Sequence, residues 1–132
     1  MNAWKVKEFQ HNIDDSGILS VLEFEDLIDF PIKRIFWLHG ISNPKVIRGN
    51  HAHKDLMQLM VAVQGSCKIQ LTDKSGYSEE ILLSNPGKCL VVRGDVWRTM
   101  TDFKEHTVLL VLCDRAYKDD YLITELDEFL DR

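Results

Sequence analysis

In Ser66-Cys67-Lys68-Ile69-Gln70-Leu71-Thr72 apolar and polar side chains alternate strictly, which puts Cys67, Ile69 and Leu71 on one face of an extended backbone. Such a strand needs sheet neighbours and a second layer over its apolar face. Asp73-Lys74-Ser75-Gly76 follows at once and reads as a hairpin connection with glycine near the left-handed position. Similar short runs recur at Trp4–Phe9, Ile18–Phe24, Ile32–Leu38, Leu56–Val63, Ser78–Leu83, Cys89–Arg93, Val96–Asp102 and Thr107–Cys113, with Ser84-Asn85-Pro86-Gly87 as a second tight turn. Short strands punctuated in this way predict an all-β sandwich or barrel rather than alternating strands and helices. Helical spacing is confined to the end, where Leu122, Leu126, Phe129 and Leu130 recur among acids after Asp119-Asp120. Tyr117 and Tyr121, four apart, would share a face at the start of that helix. Asp26-Leu27-Ile28-Asp29 allows at most one helical turn before Pro31.

A chain of 132 residues with 45% hydrophobic side chains can bury a core without staples, and no linker or repeat divides it, so one domain over 1–132 is expected. The formal charge of −5 argues against a general nucleic-acid binder, and an anionic ligand would need a local basic pocket. Cys67, Cys89 and Cys113 are odd in number, far apart and set in apolar runs, which favours buried reduced thiols over disulfides or a zinc site. With no apolar h-region at the N-terminus and no apolar run of about 18 residues, no membrane association is expected and the cytoplasm is the expected location.

Arg48-Gly49-Asn50-His51-Ala52-His53-Lys54 carries the chemistry. Side chains two apart on an extended segment project to the same side, so His51 and His53 would point into one cavity; the plainer alternative is two polar side chains on a solvated edge. The context resembles the first motif of the cupin superfamily, a His-x-His followed by an acid and a strand ending in glycine. Gln58 holds the acid's place, counted back from Gly65, and Arg98 stands where a further histidine ligand would come from the second motif, Val92–Met100. Two imidazoles, a neutral amide and a guanidinium make a poor cage for a transition metal, so no metal or other cofactor is expected. The same set suits proton abstraction beside a carbonyl, with neutral imidazole as base and arginine facing the developing oxyanion.

More narrowly, the chain resembles the cupin-superfamily sugar 3,4-ketoisomerases that act on dTDP-4-keto-6-deoxyglucose. The likeness runs through Pro31–Trp37, Arg48–Lys54, Gln64-Gly65-Ser66, Leu83–Pro86, Val96–Phe103 and Tyr117–Tyr121. It implies a cupin-type jelly-roll β-barrel or sandwich with a short C-terminal helix. It also implies isomerisation of a dTDP-linked 4-keto-6-deoxyhexose to its 3-keto form, in the biosynthesis of deoxysugars for polysaccharides such as O-antigen. His51 would be the base at C3, with His53 positioning substrate or moving the proton to C4, and Arg48 would hold the ketone or the pyrophosphate. A homodimer is implied too, often with an exchanged N-terminal strand, which would put Trp4–Phe9 in the partner's sheet. In two places the chain departs from the pattern. Phe36-Trp37 replaces a Tyr pair, removing a phenolic hydroxyl, and Arg98 replaces a histidine found in some members.

Around these residues, Arg98 is expected either to face an anion or to form a buried ion pair with an acid such as Asp102. Trp97 and Trp37 are candidates for stacking on the nucleobase, with core packing as the alternative. Lys54 could meet the diphosphate or stay in solvent. The rival readings are a 3,5-epimerase of similar fold, for which no His, carboxylate and Tyr arrangement is evident, and a non-catalytic cupin that binds a sugar nucleotide, which Phe36-Trp37 would favour.

Overall fold

The computed structural model describes residues 3–9, 11–23 and 29–131. In chain order its strands are β1 (Trp4–Glu8), β2 (His11–Asp14), β3 (Gly17–Ser20), β4 (Arg34–Leu38), β5 (Arg48–His53), β6 (Met57–Gln64), β7 (Cys67–Thr72), β8 (Ser78–Leu83), β9 (Lys88–Arg93), β10 (Trp97–Thr101), β11 (Val108–Cys113) and β12 (Leu122–Ile123), followed by the short helix α1 (Leu126–Leu130). Two antiparallel five-stranded sheets, β1-β9-β6-β11-β4 and β12-β5-β10-β7-β8, pack face to face, and β2 and β3 form a separate hairpin. Consecutive strands repeatedly change sheet, from β5 to β6 to β7 and from β8 to β9 to β10 to β11. That is the jelly-roll manner of covering one sheet with the other. The two ladders stay separate, so the architecture is the sandwich form.

The alternating run behaves as its pattern requires: Cys67, Ile69 and Leu71 on β7 are fully buried while Gln70 is exposed. The turn after it is held by Asp73, whose Oδ1 accepts from the Ser75 backbone N–H at 2.8 Å and the Tyr77 N–H at 3.1 Å, with Gly76 at φ +92°. Between the sheets Met60, Leu90, Val92 and Val111 meet Ile69, Leu71 and Met100. β6 is buried on both faces, because Phe9 and Phe30 cover its outer residues Leu59 and Val61. Hence the Leu56–Val63 stretch is apolar on both faces, with Gln58 its one polar side chain. The three cysteines are free and buried, and burial pushes the Cys67 thiol up to about 12 and the Cys89 thiol up to about 11.

Several elements differ from the expectations. The C-terminal helix begins only at Leu126: Tyr117–Asp119 forms a 3₁₀ turn, and Leu122–Ile123 pairs with His53 and Ala52 as a strand. The hydrogen bonds offered by the β5 edge outcompete the helical spacing there, so Tyr117 and Tyr121 do not share a helix face. β2 was not foreseen because His11, Asn12, Ile13 and Asp14 are all exposed and carry no buried-face pattern. Of the Ile18–Phe24 run, the strand is Gly17–Ser20, and Phe24 lies outside the described residues. The possible turn at Asp26-Leu27-Ile28 lies outside them too.

Candidate active site

β5 and β10 build the site through an irregularity in their pairing. His51 stands opposite Arg98, but the next partners are Gly49 with Thr99 and Arg48 with Met100, so Asn50 is an extra residue. The bulge uses two left-handed backbones, Asn50 at φ +58° and Gly49 at φ +74°. A Cβ on Gly49 would lie 3.1 Å from the Arg98 carbonyl oxygen. In an unbroken strand Arg48, three residues before His51, would point to the opposite face; the bulge returns it to the side of the histidines. Arg48, His51 and His53 thereby line one cavity of about 340 Å³, whose other walls are Arg34, Phe36 and Leu38 of β4, Gln58 of β6, Arg98 and Met100 of β10, and Tyr117, Asp120 and Leu122 near the C-terminus.

The two imidazoles meet edge to face, with centroids 4.6 Å apart. His51 Nδ1 lies 2.9 Å from the Gly49 carbonyl oxygen, which only accepts, so Nδ1 carries the proton and Nε2 of the neutral ring keeps its lone pair. His53 Nδ1 lies 2.9 Å from Asp120 Oδ1, and Asp120 Oδ2 accepts from Arg34 at 3.1 Å. Burial, assisted by the Arg98 charge, lowers the pKa of both rings, and His53 falls to about 4. Both rings are therefore neutral at neutral pH. Burial opposes ionisation of Asp120, but the bonds from His53 and Arg34 outweigh it and hold the carboxyl below its usual value.

Arg98 is fully buried and donates to Gln58 Oε1 and to the Val96 carbonyl oxygen at 3.0 Å, while its Nε has no acceptor. Burial brings its pKa down to about 10, so it stays charged at neutral pH. Gln58 in turn donates to Cys113 Sγ at 3.4 Å. The guanidinium is thus oriented by neutral groups and keeps its charge for whatever enters the cavity. Among the described residues no cluster of three or more His, Cys, Asp or Glu side chains is arranged to hold a metal. A Gln58 amide and the Arg98 cation complete a donor set that fits a transition metal poorly.

Of the residues singled out in the sequence, Arg48, His51, His53 and Arg98 come together. Trp37, Trp97 and Lys54 do not. Trp37 lies next to the inward Phe36, on the outer face of its sheet, and is 56% exposed. Trp97 precedes the inward Arg98, faces away from the cavity and packs against Phe129, with ring centroids 6.1 Å apart. Lys54 is exposed, and its backbone N–H donates to the Tyr121 carbonyl oxygen at 3.0 Å. Arg98 does not pair with Asp102, which instead lies 3.2 Å from Lys68 Nζ at the surface. Of the Phe36-Trp37 departure, only Phe36 reaches the cavity. Arg34 and Asp120 were missed. Arg34 shares the parity of Phe36 on its strand, a signal open to sequence reading, whereas nothing local marks Asp120.

Fold and cavity together define a cupin-type jelly roll whose pocket presents imidazole and guanidinium groups. Over residues 2–132 the chain matches the family model "FdtA: WxcM-like, C-terminal". It is 36% identical over 125 residues to the TDP-4-oxo-6-deoxy-alpha-D-glucose-3,4-oxoisomerase of Aneurinibacillus thermoaerophilus, which covers 95% of this chain and 88% of that one. A mutant of the 3,4-ketoisomerase QdtA from Thermoanaerobacterium thermosaccharolyticum, solved in complex with TDP-4-keto-6-deoxyglucose, superposes with a TM-score of 0.92 at 31% identity, covering 99% of this chain and 94% of that one. The WlaRB TDP-quinovose 3,4-ketoisomerase of Campylobacter jejuni superposes with a TM-score of 0.92 at 33% identity over 100% of both chains. The chain belongs to this FdtA/WxcM-like family of sugar 3,4-ketoisomerases. A 3,5-epimerase from Bacillus anthracis, at 17% identity, shares the fold alone.

Proposed function

We propose that this protein interconverts the 4-keto and 3-keto forms of a TDP-linked 6-deoxyhexose through an enediol. The observation that carries the reading is the placement of His51 and His53 in one cavity, ring centroids 4.6 Å apart, beside a buried Arg98 that hydrogen-bonds only neutral groups. His51 takes the C3 proton on Nε2, the electrons of the C3–H bond move into a C3–C4 double bond, and the C4 ketone oxygen becomes an enediolate oxygen. Arg98 stabilises that charge, a contribution of about 3 kcal/mol for one well-aimed donor. Return of a proton to C4, with passage of the C3 hydroxyl proton to the C4 oxygen, leaves a ketone at C3 and a hydroxyl at C4. His53 lies against His51 in the position to move that proton. Arg48, at the exposed end of β5, meets the ketone or the diphosphate.

A homodimer fits the surface. On the outer face of one sheet Ile35, Trp37 and Val63 leave apolar side chains in solvent, and a second copy would cover them. β1 is an edge strand paired with β9, the place where an exchanged strand would be accommodated. Free buried cysteines fit a reducing cytoplasm. Among the described residues no helix is long and apolar enough to cross a membrane. A 3-keto product is suited to amination at C3, which would place the enzyme in deoxysugar biosynthesis.

The reading is tested by incubating the protein with TDP-4-keto-6-deoxyglucose in D₂O and following the sugar by NMR. Appearance of a 3-keto species is the expected result. Exchange confined to C5 would indicate an epimerase, and binding without any exchange a non-catalytic cupin.

A further inference from the structure

We propose that Asp120, held by Arg34, is the positioning residue that fixes His53 as the Nδ1-protonated tautomer, leaving Nε2 as the proton-accepting atom in the cavity. The proposal rests on the proposed function only for the part His53 plays in proton transfer; the tautomer follows from the free protein. Asp120 is the one carboxylate lining the cavity among the described residues. Its two oxygens are divided between His53 Nδ1 at 2.9 Å and Arg34 at 3.1 Å, and the side chains of His53 and Asp120 are almost fully buried. An ionised carboxylate only accepts, so the proton between it and His53 sits on Nδ1. The backbone fixes this meeting. Leu122 pairs with His53, and the Lys54 N–H donates to the Tyr121 carbonyl oxygen, which brings residue 120 to the ring. The Arg34 guanidinium carbon lies 5.8 Å from the ring centroids of both Phe36 and Tyr117. The chain from Tyr117 through Arg34 and Asp120 to His53 has the form of a buried acid that orients an imidazole through its second nitrogen.

The test is a long-range ¹H–¹⁵N correlation spectrum of protein labelled at histidine nitrogens, read at neutral pH without substrate. Wild-type His53 is expected to show a protonated Nδ1 and an unprotonated Nε2. In Asp120→Asn the carboxamide can donate to Nδ1, so the Nε2-protonated tautomer is expected to appear, with kcat down about 10- to 100-fold and KM little changed. Arg34→Gln removes the partner of the other oxygen but leaves the carboxylate, so Nδ1 of His53 is expected to stay protonated while kcat falls by a smaller factor than in Asp120→Asn. An Nε2-protonated His53 in the wild type would overturn the proposal. So would an unchanged tautomer in Asp120→Asn, or a shifted tautomer with full kcat. If Asp120→Asn fails to fold, the wild-type spectrum still decides the tautomer, and kcat of Arg34→Gln reads the hold on Asp120. If the wild type turns over no TDP-sugar, the proposed substrate is wrong, and the spectra still judge the role of Asp120.

Discussion

Arg98 donates to Oε1 of Gln58 deep in the sandwich, with neither side chain reaching solvent. A neutral acceptor orients the guanidinium without cancelling its charge. Gln58→Glu keeps the size of the side chain and supplies the cancelling charge. It is expected to lower kcat about 10²-fold by weakening the oxyanion site. It is also expected to raise the pKa of His51 and His53, because Arg98 is one of the causes holding them down. Steady-state kinetics and an NMR titration of the imidazoles read both effects.

Arg98→Met separates catalysis from stability. The variant loses the charge that faces the enediolate, and kcat is expected to fall by about 10²- to 10³-fold. Removing a buried cation that has no carboxylate partner is expected to leave the thermal midpoint unchanged or higher. Calorimetry paired with kinetics checks this. A collapsed midpoint with full activity in the folded fraction would assign Arg98 to structure alone.

Gly49→Ala probes the bulge. The left-handed backbone at φ +74° and the 3.1 Å approach to the Arg98 carbonyl oxygen both resist a Cβ. A loss of about 1–2 kcal/mol in denaturant unfolding is expected. Activity should fall as well, since the bulge aims Arg48. Gly76→Ala is the control: it is also left-handed, at φ +92°, but has nothing within 4 Å of the added Cβ and lies outside the cavity. It should cost similar stability and leave turnover intact.

Stability should fall on acidification through a window set by His53. Burial, with help from Arg98, depresses its pKa from 6.5 to about 4 in the folded protein, so the unfolded chain binds the proton first. The stabilisation is fully present above pH 6.5 and is lost as pH falls toward about 4. His51 acts in the same direction. Chemical denaturation as a function of pH should show a flatter slope over this range in His53→Gln than in the wild type.

Much of the architecture is legible in the sequence because strands that bury one face alternate. β7 and its Asp73–Gly76 turn follow directly from their residues, and so does the shared direction of His51 and His53. Parity also carried information that residue type obscured: if Phe36 and Arg98 face inward, Trp37 and Trp97 face outward, whatever their appetite for a nucleobase. Three features depend on partners distant in the chain. The Asn50 bulge is visible only in the register between β5 and β10. Leu122–Ile123 becomes a strand because β5 offers an open edge. Asp120 acquires its role because β12 carries it to His53, a contact across 67 residues of sequence.

The most direct test of the central claim is deuterium uptake by TDP-4-keto-6-deoxyglucose in D₂O, compared between the wild type and His51→Asn. The expected result is solvent deuterium at C3 or C4, together with a 3-keto sugar, in the wild type, and neither in His51→Asn despite nearly unchanged binding of the sugar nucleotide. Full exchange in His51→Asn would contradict the account of His51 as the base, and no exchange in the wild type despite measurable binding would contradict the isomerase itself.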